Sequence, residues 1–233
     1  MHLPSFLQRA ETGPDPVLGE RTEHQTVLEE RINVAMHGSA MVLSLVGLAV
    51  LVTLAVQQGT ALHVVAMAVY GASMVMLFLA SACYHGATSP RTKPRLQVLD
   101  HAAVFLLIAG TYTPFTLITL QGAWGLPIFA VVWFLALTGA AMQVFTAGRH
   151  RVLSVIHYVA TGWVIVFALP TLLERLPWAA LGWLVAGGLA YTFGTIFYLA
   201  RQVRFSHAVW HLMVVVGAAC HWYAVLRFVL PTP

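Results

Sequence analysis

Charge is what this chain has least of. Its 233 residues include 12 Lys+Arg and only 8 Asp+Glu, so 9% are charged, against about 25% in a soluble domain. A water-facing surface needs more, which excludes a soluble globular protein. The acids are also segregated. Glu11, Asp15, Glu20, Glu23, Glu29 and Glu30 lie in the first 30 residues, leaving only Asp100 and Glu174 beyond them. Cysteine is nearly absent: Cys83 and Cys220 sit in apolar runs and cannot make a disulfide framework. The basic residues are scattered between apolar segments instead of clustered, so a pI near 9.4 does not indicate nucleic acid. The polar first 30 residues lack the apolar core of a signal peptide. Period-2 alternation is missing as well, which argues against strands.

What is present is hydrophobicity, at 59% of residues with mean hydropathy +0.80. A membrane helix needs about 20 mostly apolar residues. Seven runs qualify, at approximately 33–56, 61–84, 98–120, 123–145, 152–173, 178–200 and 206–230. Backbone in lipid must satisfy its own hydrogen bonds, so these runs are helices. The expected fold is an all-α integral membrane bundle of seven transmembrane helices over 31–233, preceded by a short polar tail over 1–30. An interfacial helix is expected near Thr26–Arg31. Basic residues set the orientation. Arg9, Arg21 and Arg31 precede the first span. Arg91, Lys93 and Arg95 follow the second, Arg149 and Arg151 the fourth, and Arg201 and Arg204 the sixth. The opposite side has only Arg175 and Arg227. Ten bases against two place the N-terminus in the cytoplasm and the C-terminus outside.

Histidine is abundant, at eleven residues, more than all acids together. In this topology His37, Ser81, His85, Asp100, His101, His157, His207 and His211 reach one layer near the cytoplasmic face. Asp100 is the only acid inside an expected span, and an ionisable group there marks a functional site by default. His207 and His211 are four residues apart, on one helix face and about 6 Å apart along the axis. Ser81 and His85 share the same spacing. Three imidazoles with an open fourth position suit a catalytic zinc site. The competing reading is that these histidines are hydrogen-bond partners between helices. Asn33 and His37 read as a packing or supporting pair. His221, about 15 Å beyond His211 along the last helix, reads as packing, and His63 and His150 as interfacial and loop residues. Thr111-Tyr112-Thr113 before Pro114 reads as a proline kink whose hydroxyls satisfy freed carbonyls. Gly182, Gly187, Gly188 and Gly194 read as marks of close helix packing.

Four motifs together carry a resemblance: Glu30-x-x-Asn33-x-x-x-His37, Ser81-x-x-x-His85, the Asp100 segment running into Ala-Gly-Thr-Tyr-Thr-Pro114, and His207-x-x-x-His211. From Glu30 to its end the chain resembles the bacterial hemolysin III proteins. These are the prokaryotic branch of the progestin and adipoQ receptor family, within a superfamily that includes alkaline ceramidases. The resemblance implies a multi-pass protein of the bacterial inner membrane. It implies zinc on His85, His207 and His211, with Ser81 and Asp100 lining the site. Three functions are then expected in competition. The first is a zinc-dependent hydrolase of a membrane lipid amide or ester, with Asp100 as proton acceptor and Ser81 orienting water or stabilising the oxyanion. The second is a non-enzymatic regulator of membrane state, its zinc a structural clasp. The third is a cytolysin, which the absence of an amphipathic pore-forming segment disfavours. The short tail does not resemble a receptor's larger cytoplasmic domain, so hormone reception is not carried over. A homo-oligomer stays open.

Overall fold

The computed structural model describes residues 25–200 and 202–231. Most of the tail lies outside these residues, as do Arg9, Arg21 and Arg201 of the charge argument. Among the described residues there are helices and no strand. The helices are α1 (Val27–Gln58), α2 (Ala61–Gly86), α3 (Lys93–Pro114), α4 (Gly125–Thr146), α5 (Arg151–Gly162), α6 (Leu169–Arg175), α7 (Trp178–Leu199) and α8 (Ser206–Phe228). They make seven membrane-length spans, α3 continuing through a π-helical turn to Thr119 and α5 with α6 forming the fifth. All seven expected runs are spans.

Local chemistry starts and stops these helices. Thr26 and Glu29 form a capping box at the head of α1, which satisfies two backbone donors that the first turn leaves free. The expected interfacial helix near Thr26–Arg31 is therefore not separate. Its residues are the first turns of α1, which runs unbroken into the membrane segment. Pro94 occupies the first turn of α3 and Pro177 caps α7, positions where no helical hydrogen bond is lost.

The fifth span departs from the expected single helix. After Gly162 the chain passes through a 3₁₀ segment, Val164–Ala168, before α6 resumes. Pro170 explains this. It has no N–H to give the Val166 carbonyl, and its ring crowds that carbonyl. Two backbone groups at the start of the break are met by a neighbour: the Tyr112 hydroxyl donates to Gly162 O (2.7 Å) and accepts from Ile165 N (2.9 Å). Tyr112 is thus a splint across the fifth span, which the kink reading of its segment did not include. The neighbouring hydroxyls bond carbonyls of their own helix, but none of these is the Gly110 carbonyl that Pro114 leaves without its N–H. Thr111, Thr113 and Thr116 hydroxyls bond the carbonyls of Leu107, Ala109 and Tyr112, and a π turn follows Pro114.

The third span is the most buried of the seven. The first span packs along the second, the second along the third, the third along the fourth, and the sixth along the seventh, which returns to the first. Two of the four glycines read as packing marks interlock the last pair. A Cβ on Gly187 would stand 2.6 Å from the His221 ring, and one on Gly194 2.8 Å from Trp210. Gly217 reciprocates, receiving Tyr191 at 2.7 Å. Gly182 has nothing within 4 Å and Gly188 only Trp163 at 3.8 Å, so these two do not mark close packing.

Candidate metal centre

The short loops force alternate helix ends to the same side of the bundle. The end of α2 therefore meets the starts of α1, α3 and α8. His85 is in the last turn of α2, His207 and His211 in the first two turns of α8. Nε2 of His85 lies 2.8 Å from Nε2 of His211 and 3.3 Å from Nε2 of His207. One nitrogen of each imidazole lies within 4.8 Å of the others, and the three form a group able to hold a metal ion. His85 and His211 are buried and His207 is half-buried. Three imidazole nitrogens turned on one point, inside a low-dielectric bundle, are a donor set that zinc accepts.

What holds His85 in this attitude is Glu30. Its Oε2 lies 2.6 Å from Nδ1 of His85, and its Oε1 takes Lys93 Nζ at 2.9 Å. With Nδ1 occupied as donor, Nε2 is left as the lone-pair face toward the other two histidines. Sequence reasoning quoted Glu30 in a motif but gave it no task. The signal was available: Glu30, Asn33 and His37 follow at i, i+3 and i+7, one helix face, and that face is turned inward. Glu29, also given no task, accepts the backbone N–H of Phe205 at 2.7 Å. Phe205 has a left-handed backbone (φ 61°) immediately before α8. That conformation is unfavourable for a bulky residue, and the Glu29 bond helps hold it where α8 must begin.

The remaining candidates lie around the triad. Asp100, 5% exposed, lines a small cavity of about 20 Å³ together with His37, His101, His207 and His211. Ser81 is fully buried. Its hydroxyl lies near Asp100 but makes no hydrogen bond of ordinary geometry among the described residues. The His37 ring meets the His211 ring edge-on, with centroids 3.9 Å apart. Asn33 is fully buried, and its amide donates to Gln25 at 3.2 Å. His101 Nε2 is 3.4 Å from the Tyr198 hydroxyl, and the Tyr158 hydroxyl donates to the His101 carbonyl. His157, expected in the same layer, packs against Phe105 instead. His221 packs flat on Tyr191, as read.

A second, larger cavity of about 200 Å³ adjoins the first. Leu77, Val104, Tyr158, Trp210 and Val214 line both. Its wall is almost wholly apolar and extends to the broken fifth span and to Tyr191 and His221. A small cavity lined by Asp100, His207 and His211 thus shares a wall with a space suited to hydrocarbon.

Comparison with known proteins agrees with this architecture. Residues 25–222 match the family described as Haemolysin-III related. The chain is 42% identical to hemolysin-3 of Bacillus cereus over 208 residues, covering 89% of this chain and 95% of that protein. It is 38% identical to the hemolysin-3 homolog of Bacillus subtilis over 208 residues, covering 89% and 98%. A more distant relative is the human monocyte to macrophage differentiation factor, 23% identical over 71% of each chain. With seven spans, the four inward-facing motifs and a match over most of its length, the chain belongs to the haemolysin-III-related family of multi-pass bacterial membrane proteins.

Proposed function

We propose that this protein is a zinc-dependent hydrolase acting on an amide or ester bond of a membrane lipid. One observation carries the reading: the small cavity lined by Asp100 and by two of the three convergent histidines, His207 and His211, shares its walls with a larger apolar cavity. A structural clasp needs the triad but has no use for the cavity. A lipid hydrolase needs both, one for the polar bond and the other for the chain.

His85, His207 and His211 hold the metal, and their donor chemistry and convergence fit zinc. When bound, zinc supplies Lewis acidity toward a carbonyl and makes water a nucleophile near neutral pH. The other roles belong to the chain. Asp100 takes the proton of the attacking water, since it is the carboxylate in the wall of the small cavity. Ser81, buried beside Asp100, offers its hydroxyl to the oxygen that gains charge. Leu77, Trp210 and Val214 seat the chain so that its carbonyl end stands at the triad. His37 backs His211. The reaction end faces the cytoplasm, on the strength of the basic residues gathered at that side.

The test is Asp100→Asn. The three histidines remain, so zinc stays bound. Release of fatty acid from a panel of lipid amides and esters falls about 10²–10⁴-fold, the usual worth of a general base. If the unsubstituted protein turns over no lipid in the panel, and Asp100→Asn mainly lowers the melting temperature, the clasp reading replaces this one.

A further inference from the structure

The polar groups behind His85 form a chain of their own. Lys93 Nζ sits 2.9 Å from Glu30 Oε1, and Glu30 Oε2 2.6 Å from His85 Nδ1. Lys93 also donates to the carbonyls of Ala87 (3.2 Å) and Tyr84 (3.4 Å) at the end of α2, and its ammonium lies 5.1 Å from the Tyr84 ring centre. The C-terminal carbonyls of a helix lack intrahelical partners and carry its negative dipole end. A lysine on the first turn of α3 therefore fastens the end of α2 and, through Glu30, the start of α1. All three members are largely buried, with side-chain exposures of 14% for Lys93, 18% for Glu30 and 0% for His85. Lys93 and Glu30 are the only charged pair besides Glu30–His85 among the described residues. A charge pair sunk this far is costly and mainly earns its place by fixing an arrangement.

We propose that Lys93 and Glu30 are positioning residues for the metal centre, acting as a relay that sets the tautomer and ring direction of His85. The relay rests on the metal reading given above and extends it to two residues that touch neither metal nor substrate. Glu30 accepts from Nδ1–H, so Nε2 is presented to the ion. Lys93 holds the Glu30 carboxylate turned toward His85 instead of toward solvent. Because each member comes from a different helix, metal affinity is coupled to the mutual packing of α1, α2 and α3.

The experiment measures zinc affinity of the purified full chain by competition with a chromophoric chelator. It is accompanied by the visible spectrum of the cobalt(II)-loaded protein and by the melting temperature of the metal-free protein. Glu30→Gln should weaken zinc binding about 10–100-fold, the usual effect of removing a carboxylate behind a ligating histidine, and should alter the cobalt spectrum. Lys93→Met should act in the same direction with a smaller factor, and Lys93→Arg should recover part of it. The double variant Glu30→Gln, Lys93→Met should bind no more weakly than Glu30→Gln alone, because the two act in series. Unchanged zinc affinity and cobalt spectrum in Glu30→Gln would overturn the relay, even if metal-free stability fell. Absence of zinc binding by the unsubstituted protein would instead overturn the metal reading on which the relay depends.

Discussion

Single side chains divide the labour of the site by the number of donors each can offer. His207 and His211 stand on one face of one helix, so their removal takes away two of three imidazoles at once. Elemental analysis of His207→Ala, His211→Ala should find almost no zinc where the unsubstituted protein carries about one ion per chain, since three protein ligands are the least that catalytic zinc sites employ. Full zinc in the double variant would place the metal elsewhere. His85 is the member most constrained, because it contacts both other histidines through Nε2 and Glu30 through Nδ1. His37 differs in kind: its ring lies against His211 without a hydrogen bond among the described residues. His37→Phe should keep the zinc, with at most a modest loss of affinity from a shifted His211.

At the scale of helices, two devices carry consequences. The fifth span is broken at Pro170 and splinted by the Tyr112 hydroxyl. Tyr112→Phe leaves the Gly162 carbonyl and the Ile165 N–H without that partner in a buried setting, at a cost of about 1–3 kcal/mol. The melting temperature in detergent should fall accordingly, with zinc content unchanged, since Tyr112 is a wall residue of the apolar cavity and not of the triad. The sixth and seventh spans interlock through Gly187 and Gly217. Gly187→Ala forces a methyl group into the His221 ring and should cost about 1–3 kcal/mol by overpacking. Gly182→Ala, on the same helix with nothing within 4 Å, is the internal control and should leave the melting temperature unaltered. Equal effects at both positions would contradict the interlock. Sequence reading treated these glycines alike because spacing along a helix does not say which neighbour arrives opposite.

Over the whole molecule, the seven spans among the described residues leave Gln25 and Pro231 at opposite faces of the bundle. The excess of basic residues in the segments at the triad's end of the bundle predicts that this end is cytoplasmic. Alkaline phosphatase, which works only outside the cytoplasm, should therefore be active when fused after Pro233, and a reporter requiring the cytoplasm should be silent there. The reverse pattern would invert the molecule and move the metal centre to the outer face.

The sequence alone determined the spans and the shared layer of the triad. Apolar runs of membrane length can satisfy their backbone only as helices, and short loops leave alternate helix ends no choice of side. Spacing of four residues put His207 beside His211, and the seven-span count put His85 at their level. Asp100 and Ser81 stood out for a related reason, as polar groups in runs where polarity is costly, and both are buried in the structure. Only the tertiary structure decided which of the remaining polar residues stand behind the triad. Glu30 and Lys93 are 63 residues apart by their numbers yet joined at 2.9 Å, and nothing in either local segment specifies the other. His157 was brought to the same layer by depth but packs against Phe105. Depth along a span follows from counting residues. Direction around it follows from how each helix is rotated against its neighbours, and that rotation is settled by side-chain packing between segments distant in the chain, here the glycine contacts, the Tyr112 splint and the ion pair behind His85.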